Sequence, residues 1–200
     1  MARVTALHAA RRDCIRVELD GAPWRTLPTA AVVSARLMVG VELDRSRARE
    51  LVQAIRRAEA LGAATRALAR RDRSVVGLAE YLAQRGVGRK ERVEVVERLG
   101  EIGYLDDSRF ALSRARSLAE RGYGDDAIRF ELEREGIAAE GIEAAMGTLA
   151  PEPERAVALV REARTPLTGI RRLAAKGFSA DAIEAALVEV RLDAEAAPDL

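Results

Sequence analysis

The sequence is poor in the residues that most enzymes and metal proteins use. It has one cysteine, Cys14, and one histidine, His8, in 200 residues. A single cysteine excludes an internal disulfide framework, and a single histidine argues against a His-based metal site or a catalytic triad. Aromatic residues make up 4% of the chain, too few for a typical all-β sandwich. No stretch approaches the ~18 consecutive apolar residues of a membrane span. The N-terminal MARVTALHAARRD lacks the apolar segment of a signal peptide. Neither Gly-x-x-x-x-Gly-Lys-Ser/Thr nor Gly-x-Gly-x-x-Gly occurs, so no nucleotide cofactor, and no other cofactor, is expected. These absences point to a soluble, cytoplasmic binding protein rather than an enzyme.

What is present suits helices. Hydrophobic residues make up 48% and charged residues 32%, with Ala, Leu, Arg and Glu dominant. The net charge of +1 conceals an asymmetry: residues 1–105 carry +7 and residues 106–200 carry −6. The cations are nearly all arginine, with Lys90 and Lys176 the only lysines. Arginine grips phosphate or carboxylate with a planar fork, which the lysine ammonium does not. Such a chain suits nucleic acid at one end and protein at the other; equally, the charges suit solvated helix faces.

Val4 to Leu27 reads as strands. In Cys14–Leu19 apolar and polar residues alternate, and Asp20-Gly21 is a hairpin turn leading to Pro23–Leu27. Val4–Ala10 adds a third strand. Trp24 reads as a core anchor and Cys14 as a packing residue. Pro28-Thr29 opens a short helix to about Leu37, Gly40 breaks it, and Asp44 caps a helix through about Ala60.

Beyond residue 60 the chain repeats itself. Leu78-x3-Leu82-x3-Gly86-Val87, Ile128-x3-Leu132-x3-Gly136-Ile137 and Gly169-Ile170-x2-Leu173-x3-Gly177-Phe178 share one pattern. Each reads as a helix whose last buried residue is the leucine. A left-handed glycine then stops it, and an apolar residue folds back onto its end. A further helix precedes each, at roughly 61–72, 107–121 and 152–164, and another follows. Ser74, Asp125 and Ser179 are read as helix caps. The expected organisation is a head over 1–60, three-helix repeats over 61–105, 106–149 and 150–192, and a flexible tail over 193–200. The fold class is mainly α: tandem three-helix repeats stacked into an elongated curved solenoid, with a small N-terminal α+β head containing a β-hairpin.

Between the first two repeats stands Gly103-Tyr104-Leu105-Asp106-Asp107-Ser108-Arg109-Phe110-Ala111. With Arg73-Ser74 upstream and Gly177-Phe178-Ser179 downstream, this set resembles the RecX family of bacterial RecA regulators over about residues 60–190. The chain departs from the family pattern at Gly77, Ala127 and Glu135, and the last two leave the middle repeat less basic. The resemblance implies a non-enzymatic monomer that binds the RecA filament, meeting single-stranded DNA mainly through it. It also implies limited filament growth and suppressed ATP hydrolysis, strand exchange and co-protease activity in the SOS response.

Candidate contacts follow from the cations. Arg66, Arg70, Arg71 and Arg73 form the densest cluster, and Arg66, Arg70 and Arg73 share a face of a helix that persists to Arg73. Arg85, Arg89 and Lys90 surround the first glycine turn, and Arg171, Arg172 and Lys176 the third. Such groups give affinity and salt dependence without sequence readout. Asp106, Asp107 and Arg109 read as capping and local pairing. Tyr104, Phe110, Tyr123, Phe130 and Phe178 read as core. A helix-turn-helix transcription regulator and a helical protein-interaction scaffold are the alternative functions.

Overall fold

The computed structural model of the chain describes residues 2–163 and 165–196, with side chains to residue 191. They fall into two compact units, Met1–Asp72 with Leu78–Tyr104, and Arg73–Gly77 with Leu105–Leu200.

The first unit begins with strands β1 (Ala2–Ala10), β2 (Cys14–Leu19) and β3 (Ala22–Pro28), then helix α1 (Thr29–Ser34) and strand β4 (Glu42–Leu43). The antiparallel sheet has the order β3-β2-β1-β4. Asp20 and Gly21 both adopt positive φ, the backbone of a two-residue hairpin, and Leu19 pairs with Ala22. Helices α2 (Arg45–Leu68), α3 (Val75–Gln84) and α4 (Arg89–Glu101) follow. Val4, Val17 and Leu27 from the sheet pack with Ala31, Val32 and Leu37, and with Leu51, Ala54 and Ile55 of α2.

Three expectations for this unit are corrected. Trp24 is 40% exposed rather than a core anchor. It is the extra residue where the β2–β3 register slips, between the pairs Val17–Arg25 and Glu18–Pro23, on an edge strand. Helix α1 stops at Ser34 rather than Leu37, because Arg36 turns left-handed at φ 49° and the Leu37 amide bonds back to Val32. The two helices expected either side of residue 60 are one. Gly62 costs the helix interior about 1 kcal/mol, and burial of Ala60, Ala64 and Ala67 carries α2 through it.

The second unit holds α5 (Asp107–Glu120), α6 (Asp125–Arg134), α7 (Ala139–Met146), α8 (Glu152–Arg161), α9 (Pro166–Ala175) and α10 (Ala180–Ala196). One core gathers Phe110, Ala111, Ala115, Leu118, Ile128, Leu132, Ile137, Ile142 and Met146. Another gathers Ala156, Val160, Leu173, Phe178, Ala182 and Ala186. Helix α10 runs past the start of the expected tail at 193, and residues 197–200 lie outside the described residues. Phe130 is 65% exposed, not core: it stands between Ile128 and Leu132, which face inward, and two residues turn a helix by 200°. Tyr104, in the first unit, is 50% exposed, and its neighbour Leu105 is the residue that is buried.

The glycine stops form as expected. Gly86, Gly136 and Gly177 have φ of 76°, 76° and 74°. The amides of Val87, Ile137 and Phe178 donate to the carbonyls of Leu82, Leu132 and Leu173 at 3.1, 3.1 and 3.3 Å, the six-residue closure of a Schellman stop. Leu82, Leu132 and Leu173 are fully buried.

Helix starts are satisfied by carboxylates and hydroxyls, several from distant positions. Asp106 caps α5 by accepting from the Arg109 amide at 3.0 Å. Ser74 caps α3 through the Gly77 amide at 2.9 Å, and Ser179 caps α10 through Ala182 at 3.2 Å. Asp107 reaches back 32 positions to accept from the Val75 amide at 2.8 Å. Asp125 does not cap α6; the cap position is Gly124, and Asp125 is the first helical residue. The Asp125 amide instead donates to the Glu152 carboxylate at 2.7 Å, while its own carboxylate pairs with Arg155. Glu152 also accepts from the Ser179 hydroxyl at 2.6 Å, so one buried carboxylate serves two helix starts.

The glycine environments predict a graded response to Gly→Ala. Left-handed backbone costs alanine roughly 1–2 kcal/mol at either site. Open space surrounds Gly86, whereas a Cβ at Gly136 would lie 2.8 Å from the Val76 Cβ. Gly136→Ala is therefore expected to cost about 1–3 kcal/mol more than Gly86→Ala, measured by urea unfolding.

Candidate functional site

The cations of the first unit gather around the first glycine stop. A groove of about 450 Å³ is lined by Arg56, Glu59, Ala60 and Ala63 of α2 and by the Arg85–Gly88 turn with Glu91. A smaller hollow that shares Arg56 and Glu91 with it is lined by Gln53, Arg56, Arg57, Arg89, Lys90 and Glu91. Arg85, Arg89 and Lys90 are thus joined by Arg56 and Arg57, which the sequence reading missed. The adjacent Arg56-Arg57 pair was a visible signal, but only the packing of α2 against α4 brings it to this turn.

Local pairing divides these groups. The Arg57 Nε lies 2.6 Å from Glu94, and Lys90 stands 4.0 Å from the same carboxylate. The Arg85 guanidinium lies 4.8 Å from the Tyr81 ring centre, which holds it without neutralising it. Arg56 and Arg89 are exposed on the rim. This is a partly compensated basic surface.

The expected helical face of Arg66, Arg70 and Arg73 does not form. Helix α2 ends at Leu68, and Arg70 and Arg71 lie in the turn after it, both with amides directed to the Ala67 carbonyl. The chain must leave the helix there because Ser74 is fully buried as the cap of α3. Arg66 stays on the last turn of α2, where a cation offsets the helix dipole. Arg73 is half-buried and belongs to the second unit.

In the second unit, Arg171 and Arg172 are exposed on α9, and Lys176 is structural. Its ammonium donates to the Arg121 carbonyl and lies 4.8 Å from the Tyr123 ring centre. Burial, with the charges of Arg172 and Arg121, lowers its pKa. The motif residues Leu105, Phe110, Leu132, Ile137 and Phe178 are core, and Asp106 and Asp107 are helix caps. Between α5 and α6, Glu131 accepts from Arg114 and pairs with Arg134 at 2.5 Å. Burial alone would raise the Glu131 carboxyl; Arg114, aided by Arg134, outweighs it and holds the pKa below its ordinary value.

Among the described residues there is no cluster of three or more His, Cys, Asp or Glu arranged to hold a metal, and no helix long and apolar enough to cross a membrane.

Residues 106–146 match the family model described as RecX, second three-helix domain. The Regulatory protein RecX of Halorhodospira halophila (strain DSM 244 / SL1) is 34% identical over 146 residues, covering 68% of this chain and 91% of that protein. That of Xanthomonas campestris pv. campestris (strain B100) is 39% identical over 95 residues, covering 47% of this chain. The match spans 59% of the length of the Xanthomonas protein. A crystal structure of regulatory protein RecX superposes with a TM-score of 0.75 at 23% identity, covering 92% of this chain and 98% of that one. The crystal structure of RecX from Lactobacillus salivarius gives 0.58 at 20% identity, over 68% of this chain and 97% of that one. At these identities the two structures speak to the fold alone.

The Glu131 pair makes a signed prediction. A carboxylate held below its ordinary pKa adds stability that is present above about pH 4.3 and lost as pH falls through the lowered value. Glu131→Gln is expected to cost about 1–2 kcal/mol at pH 7. Its gap from the parent chain should close as pH falls through the lowered value, as read by urea midpoints across a pH series.

Proposed function

The chain belongs to the RecX family of regulatory proteins, and from that premise we propose that it regulates the RecA–single-stranded DNA filament without catalysing a reaction. It acts in the cytoplasm on a filament that is itself highly charged. It limits filament growth and thereby suppresses RecA ATP hydrolysis, strand exchange and co-protease activity. The observation that carries this reading is family membership. The exposed cations around the Gly86 stop support it: Arg56, Arg85, Arg89 and Lys90 converge on one surface that suits phosphate or an acidic protein face. Arg70, Arg71, Arg171 and Arg172 extend the set of exposed candidates.

The test is single-strand-dependent ATP hydrolysis by the cognate RecA, titrated with this protein at two salt concentrations. Inhibition is expected well below one molecule per RecA subunit, the mark of blocked growth. The double reversal Arg89→Glu with Lys90→Glu is expected to raise the half-inhibitory concentration at least ~10-fold at low salt and by less at high salt. No inhibition by folded protein at stoichiometric amounts would remove the assignment.

A further inference from the structure

Within the second unit one docking step occurs twice, and its two halves are offered at separate places on the chain. In each step the glycine stop of a later repeat sits on the first turn of the preceding repeat's middle helix. At the first step Gly136 lies against Val76, and the Ser74 hydroxyl donates to Glu135 at 3.2 Å. At the second step Gly177 lies against Ala127 and the Gly124 amide donates to the Lys176 carbonyl at 2.9 Å. The Lys176 ammonium also donates to the Arg121 carbonyl. The cap positions Ser74, Gly124 and Thr165 each precede their own stop glycine by 12 residues, and the docked glycine meets the second residue after the cap in the first step and the third in the second.

The stop at Gly86 has the same backbone but, among the described residues, no such partner. A Cβ placed there would meet nothing within 4 Å, and the groove of about 450 Å³ opens beside it. The complementary edge is the start of α9. Thr165, Leu167 and Thr168 occupy the positions of Ser74, Val76 and Gly77, all three are exposed, and Leu167 is 61% accessible. The first step, whose cap position carries a side chain, is the template: there Glu135, the residue before the stop, meets the cap hydroxyl of Ser74. In that register Arg85 falls against the Thr165 hydroxyl, which can accept from the guanidinium.

We propose that the Gly86 groove of one molecule takes the α9 start, Thr165–Thr168, of a second copy, in a head-to-tail contact that repeats the internal step between chains. Such an interface is heterologous: each molecule contributes a different surface. One step involves few residues, so it belongs to the weak class of contacts. It coexists with a monomer at low concentration, the state the family resemblance implies.

Sedimentation velocity of the full chain from about 5 μM to about 1 mM tests this range. The weight-average sedimentation coefficient should rise with concentration. Arg85→Ala and Leu167→Asp alter exposed side chains on opposite halves, and each alone should weaken association at least ~10-fold. Mixing the two variants should restore association to the level of a dimer, because each keeps the half the other has lost. A chain monomeric throughout, association that survives both variants, or a mixture that stays monomeric would each overturn the proposal. The readout needs no RecA or DNA, so it is separate from the test of the regulatory function.

Discussion

Two backbones meet at Gly124 and Gly177 with no side chain between them. The Gly124 amide donates to the carbonyl of Lys176, and a Cβ on Gly124 would overlap the Gly177 carbonyl. This approach places the end of one middle helix directly on the start of another. Around it the polar groups of both ends must be satisfied at once, because packing one end on the other limits their access to water. Glu152 does this by accepting from both the Asp125 amide and Ser179, while Arg155 covers the Asp125 carboxylate and reaches the Tyr123 carbonyl at 2.8 Å. The aromatic and cationic contacts of Lys176 and Tyr123 then close over the same turn.

The same geometry sorts the charged residues by role. Cations near a closed step are consumed by it: Lys176 and Arg155 satisfy carbonyls, and their positions are set by packing. Cations around the open stop at Gly86 keep more of their exposure. Position relative to a stop, more than local density along the chain, distinguishes an arginine that holds the fold from one that stays exposed.

The stops were legible because they are local. A leucine, a glycine four residues later and an apolar residue after it state the hydrogen bonds, the φ value and the burial together, and Leu82, Leu132 and Leu173 are found as read. The Asp20-Gly21 hairpin was legible for the same reason. What was not legible depends on long range. Nothing near residue 60 shows whether a glycine ends a helix or lies inside one, since buried alanines on α2 decide it. Trp24 is exposed because it lies on an edge strand whose residues 22–26 are all exposed, which no alternation pattern records. Asp125 has the residue type of a cap, yet a carboxylate 27 positions away takes the amide. Of the candidate cations, the Gly86 group was read from sequence, but its union with Arg56 and Arg57 required the packing of α2 on α4.

The bond from the Val75 amide to Asp107 carries a consequence for how the protein is made. Helix α3 is a short segment, and its first turn is completed by a carboxylate that emerges from the ribosome 32 residues after the amide it serves. During synthesis the chain up to Gln84 therefore holds α3 with its start incompletely capped. Helices of this length are marginal in water until packing and end groups support them. The Leu-Asp-Asp segment therefore faces both ways along the chain: Asp107 completes the first turn of a helix already translated, and the adjacent Asp106 starts the next one, α5.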